Sequence, residues 1–147
     1  MMLLYLDASC LNRPFDDQAQ PRVRQEAEAV LRILKRVCAG HDGLVWSSAL
    51  TVELGAHPEP DIRAELLSWA GRSRRSMTTD TAVRLRVEQL VGFGLKPLDA
   101  AHVAYAESAR SDALLTCDDR FLRQARRARL PLRVMSPIEY MEELSDV

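Results

Sequence analysis

The chain opens on an unbroken apolar run, Met2-Leu3-Leu4-Tyr5-Leu6, that stops at a carboxylate, Asp7. The run is too short for a helix, and without polar alternation it has no solvent face, so residues 2–7 read as a central parallel strand covered on both sides. From Val23 the period changes. Val23, Ala27, Val30, Leu34 and Val37 recur at helical spacing, and Gly40 is placed to close that helix. Leu44–Trp46 reads as a second strand, after which Ser47 or Ser48 caps a helix through Thr51 to Gly55 that His57-Pro58-Glu59-Pro60 breaks. Helices over 61–70 and 80–91 follow, separated by an arginine-rich turn at 71–76, and Gly92 and Gly94 end the second of them. Pro97 suits the first turn of another helix, whose inner face is expected to carry Leu98, Ala101, Ala104 and Tyr105. Ala113–Cys117 reads as a short apolar strand, followed by a basic helix over 119–129, an edge strand at Leu132–Val134 and a last helix after Ser136-Pro137. Strands alternating with helices predict an α/β fold with a mostly parallel sheet and helices on both sides. No repeat or linker divides the chain, so 1–147 is expected to form a single domain.

Composition narrows this picture only in places. With 147 residues, 47% of them hydrophobic and 28% charged, the chain has room for a real core. Its start has no basic leader and meets an acid at position seven, and no apolar run is long enough to span a bilayer, so the expected location is the cytoplasm, with no membrane contact. Three cysteines, Cys10, Cys38 and Cys117, contain no C-x-x-C pair. They are expected to be reduced, buried small residues and not a disulfide framework or zinc site. The net charge is -1, which gives no global attraction for nucleic acid. Nearly all the basic side chains are arginine, whose planar fork suits phosphate, so Arg72, Arg74, Arg75 and Arg123, Arg126, Arg127, Arg129 are either backbone-binding surfaces or solvated helix faces.

The acids change the picture more. A lone carboxylate at the end of a buried strand needs compensation from a basic side chain, backbone N–H groups or a cation. In open parallel sheets ligands bind at the carboxyl ends of the strands. Asp7 ends the first strand and Asp118 ends the Ala113–Cys117 strand. Glu53, early in the helix after the second strand, and Asp99, in the first turn of the Pro97 helix, are placed to face the same edge. Four acids converging there would repel one another unless a hard divalent cation neutralises them, and Mg2+ or Mn2+ with oxygen ligands can activate water against a phosphodiester.

Four motifs, Y-L-D-A-S, A-L-T-V-E-L, K-P-L-D-A-A-H-V-A-Y-A and L-L-T-C-D-D-R-F, follow one another in an order that resembles the PIN-domain ribonucleases, the family that includes the VapC-type toxins of toxin-antitoxin pairs. The resemblance spans nearly the whole chain, and L-N-R-P-F-D-D after the first strand looks like a subset of that family. It implies an α/β/α sandwich and a metal-dependent endoribonuclease acting on single-stranded RNA. Asp7, Glu53, Asp99 and Asp118 correspond to the family's acidic metal ligands, and Ser9 and Thr116 match its supporting hydroxyls. It further implies Mg2+ or Mn2+ as cofactor, a cognate antitoxin protein as partner, and a homodimer.

Two other readings compete. A phosphatase of the haloacid-dehalogenase type also ends its first strand on Asp, but it needs a second Asp two residues on, where this chain has Ser9. A PIN-like fold that has lost catalysis would be a binding module for RNA or protein. His102, three residues after Asp99, reads as a hydrogen-bonded core histidine in preference to a ligand. Asp16 and Asp17 read as turn-stabilising acids, and Trp46 and Trp69 as core. In the pair Asp118-Asp119, alternation along the strand puts Asp118 on the side of Thr116, toward the metal, and leaves Asp119 to cap the next helix.

Overall fold

The computed structural model describes residues 1–146. Five strands, β1 (Met2–Leu6), β2 (Asp42–Ser47), β3 (Arg75–Met77), β4 (Ala113–Leu115) and β5 (Arg133–Met135), form one sheet in the order β3-β2-β1-β4-β5. All four pairings are parallel, with Leu4 opposite both Leu44 and Ala113. The helices are α1 (Ala8–Asn12), α2 (Pro21–Cys38), α3 (Ser48–Gly55), α4 (Pro60–Ser68), α5 (Thr81–Gly92), α6 (Pro97–Ser108), α7 (Asp119–Ala128) and α8 (Pro137–Ser145). Short 3-10 turns at Arg13–Phe15 and Trp69–Arg72 extend α1 and α4. The result is the expected α/β/α sandwich, in which α2 packs with α8, and α5 with α6.

The apolar run of β1 is the centre of the core. Leu4, Tyr5 and Leu6 have no exposed surface, and β2 and β4 flank them with Leu44, Val45, Trp46, Leu114 and Leu115. Burying one such aliphatic side chain contributes about 1.5–3 kcal/mol, so a strand of this kind is defined by its burial and not by alternation. Gly40 and Gly94 both adopt the left-handed backbone just past α2 and α5, as expected of residues that end helices. Ser47 caps α3 by accepting from Leu50 N–H, and Pro97 stands at the start of α6.

Four expectations are corrected. The stretch 71–76 is not only a turn, because Arg75–Met77 pairs with β2 as an edge strand. Its residues are mostly exposed and polar, so no apolar pattern announces it. In α6 the buried set is Ala100 and His102–Ala106, while Leu98 is exposed and Ala101 only partly covered. That helix packs on α5 as well as on β2 and β4, and two sets of neighbours override a single stripe. Cys38 is exposed, with Arg72 donating to its sulfur, whereas Cys10 and Cys117 are buried as expected, with their thiols 3.7 Å apart. The last strand begins one residue later than the pattern suggests. Trp46 is buried and Trp69 packs against the core, with the Arg72 guanidinium over its ring.

A second buried carboxylate lies away from the sheet's carboxyl edge. Asp42, the first residue of β2, is 2% exposed and accepts from Arg36 Nε of α2 and from the Tyr140 hydroxyl of α8, both at 2.9 Å. These bonds tie two helices to the start of one strand. Tyr140→Phe removes a single hydroxyl and leaves Asp42 Oδ1 short of a donor, so urea unfolding should show a loss of about 1–3 kcal/mol; an unchanged midpoint would mean that Asp42 is satisfied without Tyr140.

Candidate functional site

The sheet reverses its winding at β1, with β2 on one side and β4 on the other, and the carboxyl ends of these strands are where the acids gather. Asp7 is the residue after β1. Its N–H reaches Leu115 O of β4, and its carboxylate caps α1 by accepting from Cys10 N–H at 3.0 Å. Ser9 Oγ donates to the same Oδ1 at 2.6 Å and in turn accepts from Cys117 N–H at 3.0 Å. Thr116 Oγ1 stands 3.3 Å from Ser9 Oγ and accepts from Asp118 N–H at 3.0 Å. One hydroxyl, that of Ser9, therefore joins the end of β1 to the loop after β4. Burial pushes the pKa of Asp7 up, and its hydroxyl and backbone donors pull it back toward the ionised form.

Asp99 lies in the first turn of α6, partly buried. Its pKa is pushed up to about 6, first by burial and then by the negative charges of Asp118 and Asp7. His102 and Lys96 act in the opposite direction. Three carboxylates from three separate segments therefore share one electrostatic neighbourhood. Asp118 is the exposed cap of α7, with Oδ1 accepting from Arg120 N–H at 2.9 Å and Phe121 N–H at 3.2 Å. This corrects the capping role expected of Asp119. Asp119 is instead the first residue of α7, points to solvent and pairs with Arg22 of α2, which lowers its pKa. The strand ends at Leu115, so the alternation invoked for 116–119 has already given way to the turn into the helix.

Glu53 is held by a histidine and not by the hydroxyl and backbone donors that hold Asp7 and Asp118. In α3 its Oε1 meets His102 Nε2 at 2.5 Å, and the Nδ1 of the same imidazole lies 2.6 Å from the Tyr5 hydroxyl. Tyr5 is 2.6 Å from Ser47 Oγ. His102 is thus the buried, hydrogen-bonded histidine the sequence suggests. Its link to Glu53, and the roles of Tyr5 and Ser47, are not visible in the sequence; the one hint is a tyrosine within an otherwise aliphatic buried strand, whose hydroxyl needs a partner. Asp16 and Asp17 serve local structure: Asp16 pairs with Arg13, and Asp17 accepts from Ala19 N–H. Of the arginine clusters, Arg75 donates to Ala109 O and Arg126 pairs with Glu139.

Among the described residues, no three His, Cys, Asp or Glu side chains already stand within ligating distance of a common point. The donor set is nevertheless suited to a hard divalent cation. Asp7, Asp99 and Asp118 offer only carboxylate oxygens, and the raised pKa of Asp99 marks unneutralised negative charge where they approach. Mg2+ or Mn2+ is the kind of ion that matches this chemistry. Among the described residues no helix is long and apolar enough to cross a membrane.

Comparison with curated protein sequences finds no match. Among solved structures, the fold is similar to FitAcB from Neisseria gonorrhoeae, with a TM-score of 0.57 and 16% identity over 91% of this chain and 97% of that one. It is also similar to VapBC2 from Rickettsia felis bound to a DNA fragment from their promoter, with a TM-score of 0.55 and 11% identity over 92% and 98% of the two chains. DNA-bound VapBC from Salmonella typhimurium gives a TM-score of 0.55 and 17% identity over 93% and 99%. At these identities the likeness concerns the fold. The sequence itself carries the assignment further: residues 4–127 match the PIN domain, and the chain belongs to the PIN-domain family, whose members are typically nucleases.

Proposed function

We propose that this protein is a metal-dependent endoribonuclease that cleaves single-stranded RNA with activated water, and that it serves as the toxin of a toxin-antitoxin pair. The observation that carries the nuclease reading is the convergence of Asp7 and Asp118 on Asp99 at the carboxyl edge of the sheet, where burial and their two charges raise Asp99 to about 6. These three, with Glu53, are the residues that would hold Mg2+ or Mn2+. When bound there, such an ion supplies a Lewis acid for a phosphodiester and a means of activating water. Ser9 orients Asp7 through its 2.6 Å bond, and Thr116 holds the backbone at Asp118. Both hydroxyls fix the acids' positions before substrate arrives, which lowers the reorganisation required of the site. The toxin reading is supported by the FitAcB and VapBC structures whose fold this chain shares. On that reading a cognate antitoxin covers the acidic edge, and two copies of the chain form a dimer.

A second reading, a catalytically silent module that binds RNA or protein, is favoured by one observation: Glu53 is already engaged by His102. Metal titration separates the two. Millimolar Mn2+ or Mg2+ should raise the melting temperature of the wild type by relieving carboxylate repulsion in the folded state, and EDTA should reverse the gain. Asp7→Asn/Asp99→Asn should not respond. RNA products should carry 5'-phosphate and 3'-hydroxyl ends, as the family resemblance implies. A wild type indifferent to metal, or 2',3'-cyclic phosphate products, would overturn the nuclease mechanism.

Asp118 and Asp119 give a sharper contrast. Asp118→Asn keeps an oxygen for the α7 cap, so it should fold normally yet lose most metal-dependent cleavage, whereas Asp118→Ala should also cost about 0.5–2 kcal/mol in urea unfolding. Asp119→Asn should retain most activity, because its exposed pair with Arg22 is of a kind worth about 0–1 kcal/mol. The reverse ranking would move the fourth acid by one position.

The raised Asp99 pKa also sets a pH dependence. The folded metal-free protein binds this proton more tightly than the unfolded chain does, since the pKa is about 6 in one and close to 3.8 in the other. The Asp99 contribution to stability should therefore grow as pH falls from 6 toward 4 and vanish above that window. Urea midpoints of wild type and Asp99→Asn, compared across this range, should diverge with that sign; parallel curves would show that Asp99 is not raised.

A further inference from the structure

We infer that His102 is a positioning residue for Glu53, the last link of a buried hydrogen-bond chain that fixes this carboxylate in place for metal binding. The inference rests on the reading of Glu53 as one of the site acids. The chain starts at Leu50 N–H, which donates to Ser47 Oγ at 3.3 Å. Ser47 is 2.6 Å from the Tyr5 hydroxyl, Tyr5 is 2.6 Å from His102 Nδ1, and His102 Nε2 is 2.5 Å from Glu53 Oε1.

The direction of each proton follows from the ends. An ionised carboxylate only accepts, so His102 Nε2 must carry a proton. When the imidazole is neutral, Nδ1 is bare and takes the Tyr5 hydroxyl proton; when it is charged, both ring nitrogens donate, and in either form Nε2–H points at Glu53. Tyr5 is fully buried, and burial raises its pKa, so it keeps its proton to give. Having donated to His102, Tyr5 accepts from Ser47, whose own oxygen is already taking the Leu50 N–H. The Tyr5 ring also meets the imidazole edge-on, at 5.5 Å between centroids and 61° between planes, which restricts rotation of the histidine.

The chain links four elements. Ser47 ends β2 and caps α3, Tyr5 belongs to β1, His102 to α6, and Glu53 to α3 again. Glu53 is therefore fixed to the same helix, α6, that carries Asp99 one turn earlier. A buried histidine serving only as core filler would need a polar partner, but not an outward-facing carboxylate. Glu53 keeps about a quarter of its side chain exposed, 26%, against 3% for His102, so it faces solvent on one side and the imidazole on the other. Partners that orient a metal's ligands in this way typically change metal affinity by about 10–100-fold when removed.

The test is a double-mutant cycle on the intact chain, read as the Mn2+ concentration that gives half-maximal thermal stabilisation, each variant being measured against its own metal-free melting temperature. His102→Leu and Glu53→Gln should each raise that concentration about tenfold or more. The double variant should match Glu53→Gln alone, because His102 acts only through Glu53; multiplied effects would overturn the inference. His102→Gln, whose amide can still donate to Glu53, should restore most of the affinity, and failure to do so while folded also counts against it. If His102→Leu does not fold, Tyr5→Phe removes only the hydroxyl that fixes the tautomer and should weaken Mn2+ binding in the same direction; no change would overturn the inference. Imidazole 15N shifts of the metal-free wild type should report the Nε2–H tautomer of His102, and an Nδ1–H tautomer would exclude the donor role. A wild type that is not stabilised by Mn2+ at all removes the metal reading and this inference together, whereas multiplied effects in a responsive protein remove only the role of His102.

Discussion

Asp7 leaves water at the end of the central strand, and much of the candidate site follows from how it is kept there. Burial alone drives its carboxyl toward the neutral form. Against this stand the first turn of α1, which offers Cys10 N–H, and Ser9, which offers its hydroxyl. Because Ser9 also accepts from Cys117, a group that favours the charged form of Asp7 is the one that locates the loop leading to Asp118. A change in the surroundings of the first acid is thereby transmitted to another, although more than a hundred residues separate them in the chain.

The sandwich divides its charged interior between two purposes. Asp42 is saturated: a guanidinium and a phenol meet it, and its role ends with holding α2, β2 and α8 together. The acids at the opposite end of the sheet are left in excess, with Asp99 bearing the influence of two like-charged neighbours. Such an arrangement lowers the stability of the metal-free fold. It persists because the core around β1 is continuous, so the cost at one edge is met by burial elsewhere.

Much of this was legible in the sequence where one constraint acts alone. The β1 run declares itself because it is buried almost throughout, and the helix from Val23 because Ala27, Val30 and Leu34 are buried along one side, while glycine and proline mark the helix ends through backbone sterics. Legibility fails where two environments compete. In α6, packing against both α5 and the sheet displaces Leu98 from the expected inner face. At β3, pairing is supplied by the neighbouring strand with almost no apolar signal from Arg75–Met77. The acids at the edge could be anticipated because strand ends in a parallel sheet converge by topology. Which of Asp118 and Asp119 caps α7, and that Glu53 meets His102, depends on turn geometry and on contacts between elements far apart in the chain, for which spacing carries no information.

The register that sets Leu4 opposite Ala113 has a consequence for biosynthesis. The ribosome releases β1 first, and its early partner is β2; β4 can take its place on the other side only when the chain has grown past residue 115. Pairings of such long sequence separation form late and slowly. Asp7 and Asp118 therefore cannot share a site until most of the polypeptide has emerged. A nascent chain shorter than that carries Asp7 and Glu53 on an unfinished sheet, without the hydroxyl of Thr116 or the backbone that Ser9 holds. Assembly order alone thus keeps the acidic edge incomplete until β4 and the turn after it have been made.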